Sequence, residues 1–162
     1  MKIHDRRVAN TIQHYQELPG QELVQYVDET NQVCNVSSTD VNAYLREISQ
    51  LEVTAKDFRT WAGTVLAAMA LDELKSFDSQ AEAKQNIREA IERVASRLGN
   101  TATICRKYYV HPDVISTYLE GSLSLKNKAK VESELRDHLA KLQPEEAAVL
   151  ALLRHRLRVP RS

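Results

Sequence analysis

Apolar residues return at spacings of three and four along most of this chain, the repeat that places them on one side of an α-helix. Val8, Ile12 and Tyr15 form one such stripe; Ile87, Ile91, Val94 and Leu98 form another. The stripes begin and end at residues suited to helix termini. Asp5, the run Ser37-Ser38-Thr39-Asp40, Thr54 and Ser79 can cap N-termini; Leu18-Pro19-Gly20, Gly99 and Gly121-Ser122 mark stops. The expected helices run from Asp5 to Leu18, Val41 to Ile48, Ala55 to Leu71, Gln80 to Leu98, Val114 to Leu119, Lys126 to Leu142 and Glu145 to Leu157, with Pro144 at the first position of the last. Asn100 to Val110 reads as a short connecting segment. The Ala55–Leu71 stretch is rich in Ala and Leu on several faces, as a central buried helix would be. One region departs from the pattern. Leu23–Val27 and Gln32–Val36 read as strands around the turn Asp28-Glu29-Thr30-Asn31. The fold class expected is therefore mainly α, with a small β-hairpin near residues 22–36.

Composition narrows the function. Only four Gly and four Pro occur in 162 residues, which argues against a loop-rich chain. Formal net charge is zero. That excludes a uniformly basic nucleic-acid binder but not a local basic stripe, because net charge averages over faces. Cys34 and Cys105 lie far apart, and the five His form no paired-ligand spacing, so neither a metal nor another cofactor is expected. No apolar run approaches the roughly 20 residues of a membrane span, and Met1-Lys2-Ile3-His4-Asp5 does not open a signal peptide. A cytoplasmic protein is expected. The basic tail Arg154–Arg161 reads first as a solvated helix end.

The segment with chemical potential is Gly99-Asn100-Thr101-Ala102-Thr103-Ile104-Cys105-Arg106-Lys107-Tyr108-Tyr109-Val110-His111-Pro112. It packs amide, hydroxyl, guanidinium, ammonium and phenol groups into a few turns. Arg106 and Lys107 could hold the anionic oxygens of a phosphodiester while a phenol approaches phosphorus. A solvated basic turn with aromatic packing explains the same residues, and residue types alone favour that plainer alternative.

Longer blocks carry further information. They are Asp5-Arg6-Arg7-Val8-Ala9, Gln16-Glu17-Leu18-Pro19-Gly20-Gln21-Glu22-Leu23, Asp40-Val41-Asn42-Ala43-Tyr44-Leu45-Arg46, Thr54-Ala55-Lys56-Asp57-Phe58-Arg59-Thr60-Trp61-Ala62-Gly63-Thr64, the Gly99–Pro112 segment, and Pro144-Glu145-Glu146-Ala147-Ala148-Val149-Leu150-Ala151-Leu152-Leu153. Together they resemble the bacterial branch of the type IB DNA topoisomerases, which is similar to the poxvirus enzyme. The resemblance spans nearly the whole chain. It implies the helical catalytic core of the DNA breaking-rejoining type, with residues 1–162 as the C-terminal part of the catalytic domain. It also implies the reaction: a tyrosine attacks one strand of supercoiled double-stranded DNA and forms a 3′-phosphotyrosyl link. The strand swivels, and the 5′-hydroxyl reverses the attack, without ATP or metal. A monomer is expected.

Residue by residue, the resemblance places Tyr109 at the nucleophile position. The spacing from Asn100 and the following Val110-His111-Pro112 match the family there, whereas the Tyr108 position is variable. Arg59 matches a catalytic arginine, whose fork can hold two non-bridging oxygens. Asn100 stands where poxvirus and eukaryotic members carry histidine; its amide can donate to a phosphate oxygen but cannot carry a proton. Lys56, Thr60, Arg106 and Lys107 are expected DNA-backbone contacts. The family's first catalytic arginine, its general-acid lysine on a β-hairpin and its N-terminal DNA clamp precede the Asp-Arg-Arg block, which begins here at Asp5. The chain is therefore expected to lack them, and Lys2 is not assigned the lysine's role. The alternatives are a catalytically weak or inactive DNA-binding module of the same fold and, more distantly, a tyrosine recombinase. The His-x-x-Arg pairing usual in recombinases is absent around Arg59, where Asp57-Phe58-Arg59 stands.

Overall fold

The computed structural model describes residues 6, 7, 10, 13, 24–74, 76–125 and 142–158. The helices expected at Asp5–Leu18 and Lys126–Leu142 lie almost entirely outside the described residues. The chain divides into two compact units, Met1–Asp57 and Phe58–Ser162.

The first unit holds the hairpin. Strands β1 (Gln25–Val27) and β2 (Val33–Asn35) pair antiparallel, with Gln25 opposite Asn35, Tyr26 opposite Cys34 and Val27 opposite Val33. They are shorter than the alternation suggested, and side-chain chemistry in the turn closes them. The Asp28 carboxylate accepts from the Thr30 N–H at 2.8 Å, the Thr30 hydroxyl at 2.7 Å and the Gln32 N–H at 2.9 Å. These bonds, that from Gln32 foremost, hold the Asp28 carboxyl below its usual range. Asn31 takes the left-handed conformation at φ 64°, which Asn tolerates better than most residues. Across the strands, the Gln25 amide donates to Asn35 Oδ1 at 2.8 Å.

Helix α1 (Ser38–Ser49) starts at a complete capping box. The Ser37 hydroxyl accepts from the Asp40 N–H, and the Asp40 carboxylate accepts from the Ser37 N–H. The expected start at Val41 was late because any of four capping residues could have served. Helix α2 (Ala55–Leu74) opens at the expected cap Thr54, whose N–H donates to the Asp57 carboxylate at 2.8 Å. Hydrogen bonds from Ser37 and Thr54 respectively hold Asp40 and Asp57 below the ordinary carboxylate range.

The second unit contains the core. From Phe58 onward α2 runs through it, and Gly63, Thr64, Val65, Ala67, Ala68, Ala70 and Leu71 are buried. Small residues there allow neighbouring helices to come close on more than one face. Helix α3 (Gln80–Leu98) is amphipathic: Ala83, Ile87, Ala90, Ile91, Val94 and Ala95 are its buried side. Ser79 caps its start, and Gly99 at φ 67° ends it in the left-handed conformation, both as expected.

Two differences follow. The segment after Gly99 is not a simple connection: residues Ala102–Tyr108 form α4, capped by the Thr101 hydroxyl. Two turns are too few for a hydrophobic repeat to show, so the cap was the available signal. Helix α5 (Pro112–Leu119) begins two residues before the expected Val114, because His111 Nδ1 accepts from the Asp113 N–H and Pro112 fills the first turn. Helix α6 (Pro144–Arg158) lays Val149 into the core, and Glu146 accepts from the Trp61 indole N–H at 3.1 Å. Arg156 forks onto the two oxygens of Glu120 at 2.7 and 2.8 Å, joining α6 to the end of α5.

Leu71 is 1% exposed at the centre of this packing. Leu71→Ala is expected to destabilise the chain by about 2–5 kcal/mol, the usual cost of a leucine-sized cavity, read as a lowered denaturation midpoint at unchanged slope.

Candidate active site

Arg59, Thr60, Asn100, Arg106, Lys107 and Tyr109 all belong to the second unit. Arg59 lies one helical turn into α2, and Tyr109 directly follows α4 as its C-terminal cap. Fifty residues apart in sequence, they meet: the Arg59 guanidinium carbon lies 5.2 Å from the centre of the Tyr109 ring. That is cation–π distance.

Asn100 is drawn to the same place by a helix end. The Leu98 carbonyl, in the last turn of α3, receives the Arg59 guanidinium at 2.8 Å and the Asn100 side-chain amide at 3.1 Å. Terminal helix carbonyls lack intrahelical partners and carry partial negative charge, so a cation and an amide are suited to them. Gly99 makes the turn, while the Gly99 and Asn100 N–H groups both donate to the Ala95 carbonyl. One carbonyl thus gathers the two predicted phosphate-binding side chains. Only one hydrogen bond of the Arg59 fork is committed among the described residues, which leaves further N–H groups for an anion.

The remaining predicted residues are arranged differently. Lys107 lies over the Tyr108 ring, with its ammonium 5.0 Å from the centre. Arg106 and Lys107 are exposed on the last turn of α4. The Thr60 hydroxyl donates to the Tyr108 carbonyl at 3.3 Å. Lys56 is exposed on the first turn of α2, in the first unit. Tyr108 is 44% exposed, whereas Tyr109 is half-buried against the core. The two tyrosines therefore differ in partner: the first ring pairs with a neighbouring lysine, the second with Arg59.

Beneath the site lies Cys105, fully buried. Burial pushes its thiol above the ordinary range, and the positive charge of Arg59 opposes that rise. Both effects bear on a thiol that the core shields from solvent. A cavity of about 510 Å³ bounded by Leu71, Phe77, Tyr118 and Leu123 contains none of the predicted site residues. The described residues contain no group of three or more His, Cys, Asp or Glu able to hold a metal. No helix among them is long and apolar enough to cross a membrane.

Sequence reasoning did not anticipate the part of α2 facing Tyr109. Gly63 is buried there, and a Cβ at that position would lie 2.4 Å from the Tyr109 carbonyl oxygen. The neighbouring Thr64 hydroxyl accepts from the His111 N–H at 3.1 Å. A signal existed. An isolated Gly inside a helix costs about 1 kcal/mol relative to Ala and usually has a packing reason.

A family profile described as "Eukaryotic DNA topoisomerase I, catalytic core" matches residues 2–138, most of the chain and all of this site. The chain belongs to that family. A similar protein is the "DNA topoisomerase 1B" of Acanthamoeba polyphaga mimivirus, 28% identical over 109 residues that cover 63% of this chain and 32% of the viral protein. The chain thus spans about a third of that relative's length. The mainly helical fold with one small antiparallel hairpin agrees with the topoisomerase core that the sequence resemblance implied.

Proposed function

We propose that this chain carries the tyrosine chemistry of a type IB DNA topoisomerase, with Tyr109 as nucleophile and Arg59 and Asn100 as its phosphate-binding partners. The observation that carries this reading is the placement of the Arg59 guanidinium against the Tyr109 ring, beside Asn100 on a shared carbonyl. Membership of the topoisomerase I family supports the substrate class, DNA.

In the forward step the Tyr109 oxygen attacks a DNA phosphorus. The phenol gives up its proton, a tyrosyl O–P bond forms on the 3′ side, and the P–O bond to the 5′ oxygen breaks. That oxygen leaves with a proton as a 5′-hydroxyl. Arg59 stabilises the charge gathered on the non-bridging oxygens in the five-coordinate transition state, where a preorganised donor has most effect. Asn100 adds a neutral hydrogen bond to the same oxygens. Because the phosphoester energy stays in the tyrosyl link, the 5′-hydroxyl can reverse the step after the strand has swivelled, with neither ATP nor metal. Lys56, Thr60, Arg106 and Lys107 are assigned to the DNA backbone. The substrate is supercoiled duplex, and the protein acts as a cytoplasmic monomer.

The reading is tested by incubating the chain with supercoiled plasmid, and separately with a nicked duplex labelled at the 5′ end of the strand to be cut, in buffer with neither ATP nor magnesium. Denaturing the mixture should leave label covalently attached to protein through the 3′ side of the break. Attachment through the 5′ side would overturn the polarity. DNA binding with no attachment would favour the alternative of a DNA-binding module that does not cut.

A further inference from the structure

We propose that Gly63 and Thr64 are positioning residues: they lock the main chain of residues 109–111 onto α2 and so set the Tyr109 ring beside Arg59. The proposal rests on the reading of Tyr109 as nucleophile, but the lock is a geometric feature that can be measured without DNA.

Thr60, Gly63 and Thr64 share one face of α2 by their spacing of three and four. Each meets a different main-chain group of the tyrosine segment. The Thr60 hydroxyl donates to the Tyr108 carbonyl at 3.3 Å. Gly63 lets the Tyr109 carbonyl approach so closely that an added Cβ would stand 2.4 Å from the oxygen and 3.1 Å from Tyr109 Cβ. The Thr64 hydroxyl accepts from the His111 N–H at 3.1 Å and donates to the Thr60 carbonyl at 2.7 Å, with the Tyr109 oxygen at 3.5 Å. Thr64 is 2% exposed, so water is a poor substitute for it.

The location gives this lock its consequence. Tyr109 ends α4, with its N–H donating to the Cys105 carbonyl at 2.9 Å, and His111 caps α5. Between two helices, the ring's position depends on where that short bridge is held. Arg59 projects from the same helix that holds it, one turn before Gly63. Nucleophile and cation are therefore referenced to one rigid element. Close C–H···O contacts fall at roughly 3.3–3.6 Å, so a methyl at Gly63 would displace the Tyr109 carbonyl by about 1 Å. The obstacle is backbone on both sides and cannot swing away. Misplacement of about 1 Å can cost on the order of 10²-fold in rate.

The test uses single-turnover attachment to labelled nicked duplex at saturating DNA, with the DNA dissociation constant measured separately. Gly63→Ala should slow attachment on the order of 10²-fold at an unchanged dissociation constant. Thr64→Val, which keeps the volume and removes the hydroxyl, should slow it by about tenfold, the scale of one lost buried hydrogen bond. Thr64→Ser, which keeps the hydroxyl and loses the methyl, should restore the rate. A packing role alone predicts the opposite order, with Val tolerated and Ser impaired, and that order overturns the proposal. So does a wild-type rate in Gly63→Ala, or a loss confined to DNA affinity. A second readout is magnetic resonance of the free protein. Thr64→Val should hasten exchange of the His111 amide, and Gly63→Ala should move the ring-shifted Arg59 Nε proton. If wild type forms no adduct, the nucleophile reading fails on its own, and unchanged His111 exchange in Thr64→Val would then dispose of the lock.

Discussion

Tyr109→Phe is expected to abolish covalent attachment to DNA entirely, with DNA affinity and thermal midpoint at wild-type values. The substitution removes a single oxygen. The contacts that place the residue do not use that oxygen: the backbone N–H is bonded to Cys105, the carbonyl is seated over Gly63, and the ring lies under Arg59. A phenylalanine ring retains the attraction for a cation, so the fold around the site is preserved while the nucleophile is gone. Tyr108→Phe is the matched control and should leave attachment intact. Its ring is paired with Lys107 and half-exposed, and α2 holds its carbonyl. Denaturing electrophoresis of end-labelled duplex reads both variants in one gel. Adduct persisting in Tyr109→Phe, or vanishing in Tyr108→Phe, would sink the assignment of the nucleophile.

The helices were legible because their ends are written in local chemistry. Ser37, Thr54, Ser79 and Gly99 each mark a boundary through a hydrogen bond or a left-handed φ that neighbouring residues suffice to predict. Helix α4 escaped because seven residues carry no measurable repeat. For the site, resemblance supplied Arg59, Asn100 and Tyr109 as positions, and the structure adds how two of the three are joined. The Leu98 carbonyl that receives Arg59 and Asn100 is a backbone atom, present in every residue and invisible as a motif. The same limit hid Gly63 and Thr64. Their partners are the carbonyl and N–H groups of residues 109 and 111, more than forty positions away, and no residue type at those positions announces the contact. What sequence could not supply was therefore main-chain geometry between distant segments, whereas the candidate side chains came from the resemblance.

Arg59→Ala is expected to slow attachment by about 10²–10³-fold, the usual consequence of removing a preorganised donor to a developing anion. Two roles are lost together, and they separate by variant. Against DNA, the fork offers parallel N–H groups to two oxygens of one phosphate, which an ammonium cannot reproduce. Arg59→Lys should therefore recover charge but not the fork, restoring DNA affinity and its salt slope while leaving most of the rate defect. In the free protein, the guanidinium sits on the neutral Leu98 carbonyl. Bonds to a phosphate are charge-assisted and roughly twice as strong as those to a neutral acceptor. A phosphodiester entering beside Tyr109 would thus draw the fork toward itself, while Asn100 still satisfies the carbonyl at 3.1 Å. Loss of Asn100 removes that second donor. Single-turnover rates across a salt series read the prediction: Arg59→Ala should lower the salt slope of binding by about one, with a rate deficit that saturating DNA does not repair. Wild-type attachment in Arg59→Ala would show that the contact with Tyr109 is packing alone. A deficit fully cured by more DNA would reduce Arg59 to a binding residue.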